Sequence, residues 1–557
     1  MCGILGIIDL ADKVSKFDFK LALNSMSHRG PDSEGILELK IQEQKIMLGH
    51  RRLSILDLHD RANQPMSDNK AHIHMVFNGE IYNHRELRDE LEGFGYNFST
   101  TSDTEVIIKG FIHWGTDLIN RLDGMFAVGL VDKENSKLYL MRDYFAEKPL
   151  YYSINDGQII FSSQLDTVKI LKKDCTLSKT ELAYYESHGY SKVNKTILDG
   201  VYQVSPGSVL EVDLRNGAIC THKINKSFRS VGQSHSGIIE NVVSSRLMSD
   251  VPVGVLLSGG IDSSVIAYYA NKRSNKLINF TVDFGDNQRE IEMAKNISEV
   301  TCSKHVIIQL KEFSLEDLDG ILSAMSDPVS DLSAIPTYLI CKEIKKYGIK
   351  VVLGGDGGDE IYGGYSYYYR SWKSLVSVKF SKVFYNLFYD YLPFKYRRFL
   401  YNQLRASLGV IPLPRALKLD ISNDFDVAFT GNTKELRYHD IANFLPSFVL
   451  RKNDQISMYL GLEFRAPFLS LDLLSFVEKN NLYGENKIKL LHLLQELNIA
   501  YKKIPKRGFS FSKIAGNIEL VLKDYMRREE MQQIANEDLQ GMWHRIQLNN
   551  LKKKYAS

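Results

Sequence analysis

Val253-Gly254-Val255-Leu256-Leu257-Ser258-Gly259-Gly260-Ile261-Asp262-Ser263-Ser264 is an apolar run that opens into a glycine turn and then continues as a helical pattern through 264–272. A short apolar run bounded by glycine reads as a buried strand, and the stretch after it as a helix whose N-terminus faces the turn. Further apolar runs at 279–284 and 350–353, with helical stretches between them, predict a parallel, doubly wound α/β sheet. Glycines in such a turn let the backbone approach phosphates, and the helix N-terminus favours anions. Ser263 and Ser264 add hydroxyl donors, and Asp262 can hold Mg2+. The Gly-Lys-Ser/Thr ending of a Walker loop is absent. A bland glycine-rich turn is the competing reading of any one such segment.

Downstream, Val351-Val352-Leu353-Gly354-Gly355-Asp356-Gly357-Gly358-Asp359-Glu360 brings a strand end, a glycine-lined turn and three carboxylates together. Carboxylates beside a triphosphate site suggest Mg2+ binding and proton handling. Two more pieces follow: Ser457-Met458 through Gly461-Leu462-Glu463-Phe464-Arg465-Ala466-Pro467-Phe468-Leu469, and Lys487-Ile488-Lys489-Leu490 ahead of Lys506-Arg507-Gly508-Phe509. After about residue 365 the chain reads mostly helical. Phe384–Leu400 is aromatic and basic, a pattern that suits a packed helical surface better than a membrane face.

Upstream, the first 215 or so residues are dense in short β-type runs at 4–9, 73–77, 125–131, 137–141 and 158–161. Helical patterning lies between them at 19–27, 85–91 and 105–114, which predicts an α+β layered domain. Its sharpest residue is Cys2. Removal of Met1 would place a thiol and a free α-amine on one residue, nucleophile and base together. Arg52 supplies a guanidinium able to clamp a carboxylate in a bidentate way. Asn78-Gly79-Glu80 follows an apolar run, and an Asn amide with a Gly N–H can form an oxyanion hole. Ser102-Asp103 precedes a helical run, so either residue can be an N-cap, and Asp103 can alternatively bind an ammonium group.

Taken in order, Met1-Cys2-Gly3-Ile4, His28-Arg29-Gly30-Pro31-Asp32, Arg52-Leu53-Ser54-Ile55, Asn78-Gly79-Glu80-Ile81-Tyr82-Asn83 and Ser102-Asp103-Thr104-Glu105 resemble the class II, N-terminal-nucleophile glutamine amidotransferases. The turn at 258–264 resembles the PP-loop of ATP pyrophosphatases. All the pieces together, from Cys2 to about Phe509, are similar in order to the glutamine-hydrolysing asparagine synthetases. That resemblance implies an N-terminal αββα Ntn-hydrolase sandwich, then an α/β parallel-sheet PP-loop domain with a helical C-terminal part. The expected division is 2–215 for the glutaminase domain, 216–236 for a linker, 237–535 for the ATP pyrophosphatase domain and 536–557 for a C-terminal tail, whose lysine run at 551–555 reads as solvated or disordered.

By the same resemblance Cys2 is the nucleophile, and Asn78 with Gly79 forms the oxyanion hole. Arg52, Leu53, Ile55, Asn78, Gly79, Glu80 and Asp103 surround the glutamine, with His28–Asp32 as scaffold. Leu257 and Val282 line the adenine site. Ser258, Gly259, Gly260, Asp262, Ser263 and Ser264 hold phosphates, Gly354 and Gly355 lie against the nucleotide, and Asp262 with Asp359 holds Mg2+. Lys487, or Lys489 if the register shifts, neutralises phosphate. Asp356 assists the acyl-adenylate chemistry. The implied substrates are glutamine, ATP and aspartate or another carboxylate, and a homodimer is compatible with the resemblance.

Departures cluster on the synthetase side, with two more earlier in the chain. Gly354-Gly355-Asp356-Gly357 stands where the family has Ser-Gly-Glu-Gly, and Arg289-Glu290 where it has Asp-Glu. Ser470 follows Pro467-Phe468-Leu469 in place of Asp, Ala146 stands for a Gly, and Gln164 for a Glu. The shorter Asp356 raises a second acceptor class, a uronic-acid sugar of surface-polysaccharide synthesis.

The 557 residues suffice for two to four domains, and 44% hydrophobic with 25% charged residues excludes a disordered chain. A net charge of +3 argues against a nucleic-acid partner. Five cysteines without a CxxC pair fit a reducing compartment, and no apolar stretch approaches the roughly 18 residues of a spanning helix. The apolar opening lacks a basic flank and reads as no signal peptide, so the expectation is a cytoplasmic enzyme.

Overall fold

The structure, a computed structural model, describes residues 2–9, 13–155, 157–225, 233–310, 312–369, 433–497, 499, 501, 514–532 and 537–555. The aromatic stretch 384–400 and the Lys506–Phe509 segment lie outside the described residues.

Twelve strands build two six-stranded antiparallel sheets. The first joins β1 (Gly3–Asp9), β2 (Ser33–Ile41), β3 (Gln44–Arg52), β8 (Tyr151–Asn155), β9 (Gln158–Ser162) and β10 (Tyr202–Gln203) in the order β10-β8-β9-β1-β3-β2. The second joins β4 (Met66–Ser67), β5 (Ile73–Ile81), β6 (Gly124–Asp132), β7 (Lys137–Arg142), β11 (Ser208–Asp213) and β12 (Ile219–Lys223) in the order β12-β11-β7-β6-β5-β4.

Both faces of the inner strands are apolar, so each sheet must be covered twice. Along β1, Ile4 and Ile8 meet Val76, Ala127 and Val131 between the sheets, while Leu5 and Ile7 turn to Phe19, Leu23 and Leu165 of helices 16–24 and 165–171. Helices 84–93 and 103–114 cover the outer face of the second sheet through Leu87, Leu91, Ile107 and Phe111. The result is the expected helix–sheet–sheet–helix sandwich. The Phe161 ring fills the space that a side chain at Gly6 or Gly129 would need, so the two sheets close over it.

The third sheet is wholly parallel: β13 (Val253–Leu256), β14 (Ile278–Asp283), β15 (Lys304–Gln309), β16 (Val351–Leu353) and β17 (Glu463–Arg465) in the order β15-β14-β13-β16-β17. From β13 the chain moves outward to β14 on one side and returns to β16 on the other. The turn after β13 therefore sits at the switch point, where the carboxyl ends of parallel strands open a ligand crevice.

Two expectations need correction. The stretch expected as a linker contains β12, which pairs with β11, and the first two residues of helix 235–246. The expected tail is helix Leu539–Tyr555, with Trp543, Ile546, Leu551 and Tyr555 buried at helical spacing. Its lysines are paired, Lys554 with Asp166 at 2.5 Å and Lys552 with Glu186 at 3.4 Å. A charge run read as solvated is thus the polar edge of a helix packed on both parts of the chain. Among the described residues no helix is long and apolar enough to cross a membrane.

His50, on β3, is fully enclosed, and its Nε2 lies 3.2 Å from the Phe77 carbonyl oxygen. Burial, helped by the Arg52 guanidinium, holds the ring pKa down at about 3. The unfolded chain takes up this proton near pH 6.5 and the folded chain does not, so the contribution is complete above pH 6.5 and lost as pH falls toward 3. His50→Gln, which keeps a donor for Phe77, should flatten the slope of unfolding free energy against pH between 6.5 and 5 by about 1.4 kcal/mol per pH unit. Urea titrations across that range measure it; parallel slopes would show that the ring ionises inside the fold.

Candidate active sites

Cys2 immediately precedes β1, and both ends of its backbone are held. Its nitrogen donates to Asn78 Oδ1 at 2.9 Å, and its carbonyl accepts from Arg29 Nε at 3.2 Å. The thiol is buried, which pushes its pKa up; the positive chain terminus, a backbone contact from Leu53 and the Arg52 guanidinium pull the other way. Asn78 lies on β5 with its Nδ2 buried and without a hydrogen-bond acceptor among the described residues. A buried donor left open costs stability unless something else accepts from it. Gly79, next along β5, has φ +152°, and a Cβ there would fall on the Met125 carbonyl oxygen of β6. Only glycine lets the strands close at this point.

Arg52 ends β3. Its NH1 donates to the His59 carbonyl at 3.1 Å and to Asn63 Oδ1 at 2.8 Å, its NH2 to the carbonyls of Leu56 at 3.1 Å and Asp57 at 2.5 Å. It thereby ties down loop 56–63. Ser102 is the N-cap of helix 103–114, its hydroxyl accepting from Thr104 N at 3.1 Å. That leaves the Asp103 carboxylate to accept from Ile81 N at 2.9 Å. Burial pushes the Asp103 carboxyl up, against the pull of His84. Leu53 and Ile55 are buried in a cluster shared with Val253 and Val255 of β13. The Glu80 carboxylate lies 3.3 Å from Arg465 of β17, which also pairs with Glu463 at 2.6 Å.

At the switch point, the Ser258 and Ser263 hydroxyls lie 2.9 Å apart, and the hydroxyl of Ser263, in the first turn of helix 261–273, donates to the Gly260 carbonyl at 3.2 Å. Gly259 has φ +76°, and a Cβ there would fall on the Glu290 carbonyl oxygen. Gly260 caps helix 261–273 without a side chain, so the first turn keeps open N–H groups for an anion. The Ser264 hydroxyl is buried without a hydrogen-bond partner among the described residues. Leu257 is wholly buried in the core, and Val282 sits nearly buried on β14.

Asp262 and Asp359, from different loops, converge on the Lys487 ammonium: Lys487 pairs with Asp262 and lies 2.8 Å from Asp359. These two carboxylates raise the Lys487 pKa although burial opposes them. Lys487, not Lys489, is thus the lysine brought to this place. Gly355, Gly358 and Gly364 crowd the trio, since a Cβ at any of them would press on Asp262 or Asp359. Two carboxylates converging on one cation fit Mg2+, which takes one or two such ligands and completes its shell with phosphate and water oxygens. Gly354 N donates to the Arg465 carbonyl at 2.9 Å, continuing the β16–β17 pairing. Asp356 beside it accepts from Asn453 Nδ2 at 2.9 Å, and burial pushes its carboxyl up.

Between the two groups lies a small, partly open pocket lined by Glu147, Lys148, Asp356, Asn453, Asp454 and Arg465. Of these lining residues, only Asp356 is singled out by the sequence as a site residue. Arg29 is read there as scaffold, yet it touches the Cys2 carbonyl. Asn453 and Asp454 lie just before the Ser457-Met458 piece and carry no local signal; Asn453 finds Asp356 97 residues away, and Asp454 finds Arg29 and Lys148 in the sandwich.

The profile described as "Glutamine amidotransferase domain" matches residues 1–223, and that described as "Asparagine synthase" matches residues 237–489. Asparagine synthetase [glutamine-hydrolyzing] 1 of Bacillus subtilis is 35% identical over 66% of this chain and 59% of its own length. A putative asparagine synthetase [glutamine-hydrolyzing] 2 of Methanocaldococcus jannaschii is 32% identical over 66% of this chain and 76% of its own length. A putative asparagine synthetase [glutamine-hydrolyzing] of Mycobacterium bovis is 28% identical over 86% and 82%.

Lys487→Met removes the ammonium on which Asp262 and Asp359 converge. The variant should unfold about 3 kcal/mol more easily in EDTA and recover much of that loss in millimolar Mg2+, while the unsubstituted chain changes little. Denaturant titrations in the two buffers test it; equal losses in both would show that the carboxylates share no cation site.

Proposed function

The chain belongs to the glutamine-hydrolysing asparagine synthetase family, and from that premise we propose an ATP-dependent amidotransferase that moves the amide nitrogen of glutamine to a carboxylate, with aspartate as acceptor and asparagine as product. The observation that carries the reading is the Asn78 side chain: its oxygen holds the Cys2 nitrogen, and its buried Nδ2 is open. An amide so placed anchors the nucleophile and keeps a donor for an oxyanion beside it. The names of the relatives favour aspartate over a uronic-acid sugar.

In this proposal Met1 is removed and the Cys2 α-amine takes the thiol proton. The thiolate attacks the glutamine amide carbon, Asn78 Nδ2 and Gly79 N–H stabilise the oxyanion, ammonia leaves, and water hydrolyses the thioester to glutamate. Asp103 binds the substrate ammonium. Arg52 binds the carboxylate, and because four of its donors already hold loop 56–63, that loop must yield a carbonyl when glutamine enters. Glu80, turned to Arg465, acts through the wall of the pocket.

At the switch point the 258–264 turn and Lys487 hold the ATP phosphates. Asp262 and Asp359 would hold Mg2+, which when bound supplies charge neutralisation at those phosphates. The acceptor carboxylate attacks the α-phosphorus, pyrophosphate leaves, and ammonia displaces AMP from the acyl-adenylate. Asp356, kept in place by Asn453, lines the cavity and serves proton handling in that last step. The cavity supports a sheltered route for ammonia, which in bulk water at neutral pH is mostly protonated. The working division is a glutaminase unit through β12 and a synthetase unit from helix 235–246 onward.

The test supplies amide-¹⁵N glutamine, MgATP and aspartate, and follows labelled asparagine and AMP by mass spectrometry. Labelled asparagine matched one-to-one by AMP is expected. Cys2→Ser should lower the glutamine-dependent rate by at least about 100-fold and leave ammonia-dependent asparagine formation intact. Labelled ammonia without asparagine or AMP would remove aspartate as the acceptor.

A further inference from the structure

Helix Arg451–Tyr459 packs beside β17 of the parallel sheet, and its consecutive side chains reach in different directions. Lys452 pairs with Asp331 at 2.9 Å, and Asn453 donates to Asp356 at 2.9 Å. Asp454 lies 2.9 Å from Arg29 and 3.7 Å from Lys148, both from the sandwich. All three of these charged side chains are buried, at 4%, 2% and 2% exposure. Arg29 Nε in turn donates to the Cys2 carbonyl.

We propose that Asp454 is a positioning residue for the Cys2 centre, supplied from the parallel-sheet side, which acts by orienting the Arg29 guanidinium on the Cys2 carbonyl. The inference rests on the reading of Cys2 as nucleophile. The physical case is one of torsions. On a terminal residue whose amine must reach its own thiol, the Cα substituents are placed by what grips the nitrogen and the carbonyl. Asn78 grips one and Arg29 the other. Arg29 is long and rotamer-rich, and a single hydrogen bond to a carbonyl does not hold it; a carboxylate beside it in a water-poor seam does. Asp454 is that carboxylate. Its neighbour Asn453 steadies Asp356 from the same helical turn, so a displacement of this one helix reaches both candidate centres.

Glutamine hydrolysis is measured on the full chain, with glutamine alone, for the unsubstituted protein, Arg29→Gln, Asp454→Asn, Asp454→Glu and the double variant Arg29→Gln/Asp454→Asn. Asp454→Asn should lower kcat about 10- to 100-fold with KM within about twofold. Asp454→Glu should recover part of the loss. The double variant removes one charge of each sign and should fold even where Asp454→Asn does not. Its kcat should be no lower than that of the weaker single variant, because both changes break one arm. The rate of Cys2 alkylation by iodoacetamide should fall in parallel, while MgATP affinity by calorimetry stays unchanged. Unchanged kcat in Asp454→Asn or in the double variant overturns the proposal. A loss of MgATP affinity matching the loss of kcat also overturns it, since it marks general damage. Failure of the unsubstituted chain to hydrolyse glutamine overturns the reading of Cys2 and the proposal with it.

Discussion

A charge removed from water must be paired, and in this molecule the pairs cross the seam between the antiparallel sandwich and the parallel sheet. Arg29 and Lys148 meet Asp454, Glu80 meets Arg465, Arg246 meets Asp123, and Asp327 receives Arg451 together with the hydroxyls of Tyr151 and Ser191. Such pairs contribute little net stability relative to an apolar contact, but removing one partner strands the other at a cost of about 3–5 kcal/mol. The two parts are therefore held in one relative placement, because sliding would unpair several buried charges at once. Apolar packing follows the same line: Leu53, Ile55, Tyr82 and Phe145 of the sandwich share a cluster with Val255, Val265 and Leu353 of the parallel sheet.

That placement makes the chemistry of the two ends mutually visible. β17 contributes Arg465 and Glu463 to the neighbourhood of Cys2 while its partner β16 runs into Gly354 and Asp356. The pull of the chain terminus, Arg465 and Lys148 overcomes the burial of Glu463 and leaves its pKa at about 2. Glu80, buried beside Arg465, Glu463 and Asp103, is pushed the other way.

Local structure was readable wherever a short segment carried its own instructions. The strand, turn and helix around 253–273 follow from an apolar run, positive-φ glycine and helical spacing, all within some twenty residues. The strands at 73–81 and 124–132 were legible from their runs of apolar residues. β17 was not, because three residues, Glu463–Arg465, carry no period and two of them are charged; they are a strand only because β16 lies alongside. The helix at 539–555 was obscured by its lysines, whose partners Asp166 and Glu186 belong to the sandwich.

The sequence by itself determined the parts that act through neighbours in the chain: Cys2 ahead of a strand, Asn78-Gly79 at a strand that glycine alone can close, and the 258–264 turn at a helix N-terminus. The tertiary structure alone decided which charges meet. Arg29 falls in a stretch that the sequence reads only as scaffold of the site, and nothing near Asp454 marks it as its partner. The choice of Lys487 over Lys489 likewise depends on which ammonium reaches Asp262 and Asp359. Periodicity and turn chemistry act over a few residues and leave a local trace. Buried ion pairs depend on which distant surfaces are pressed together and dried, and that exists only in the assembled fold.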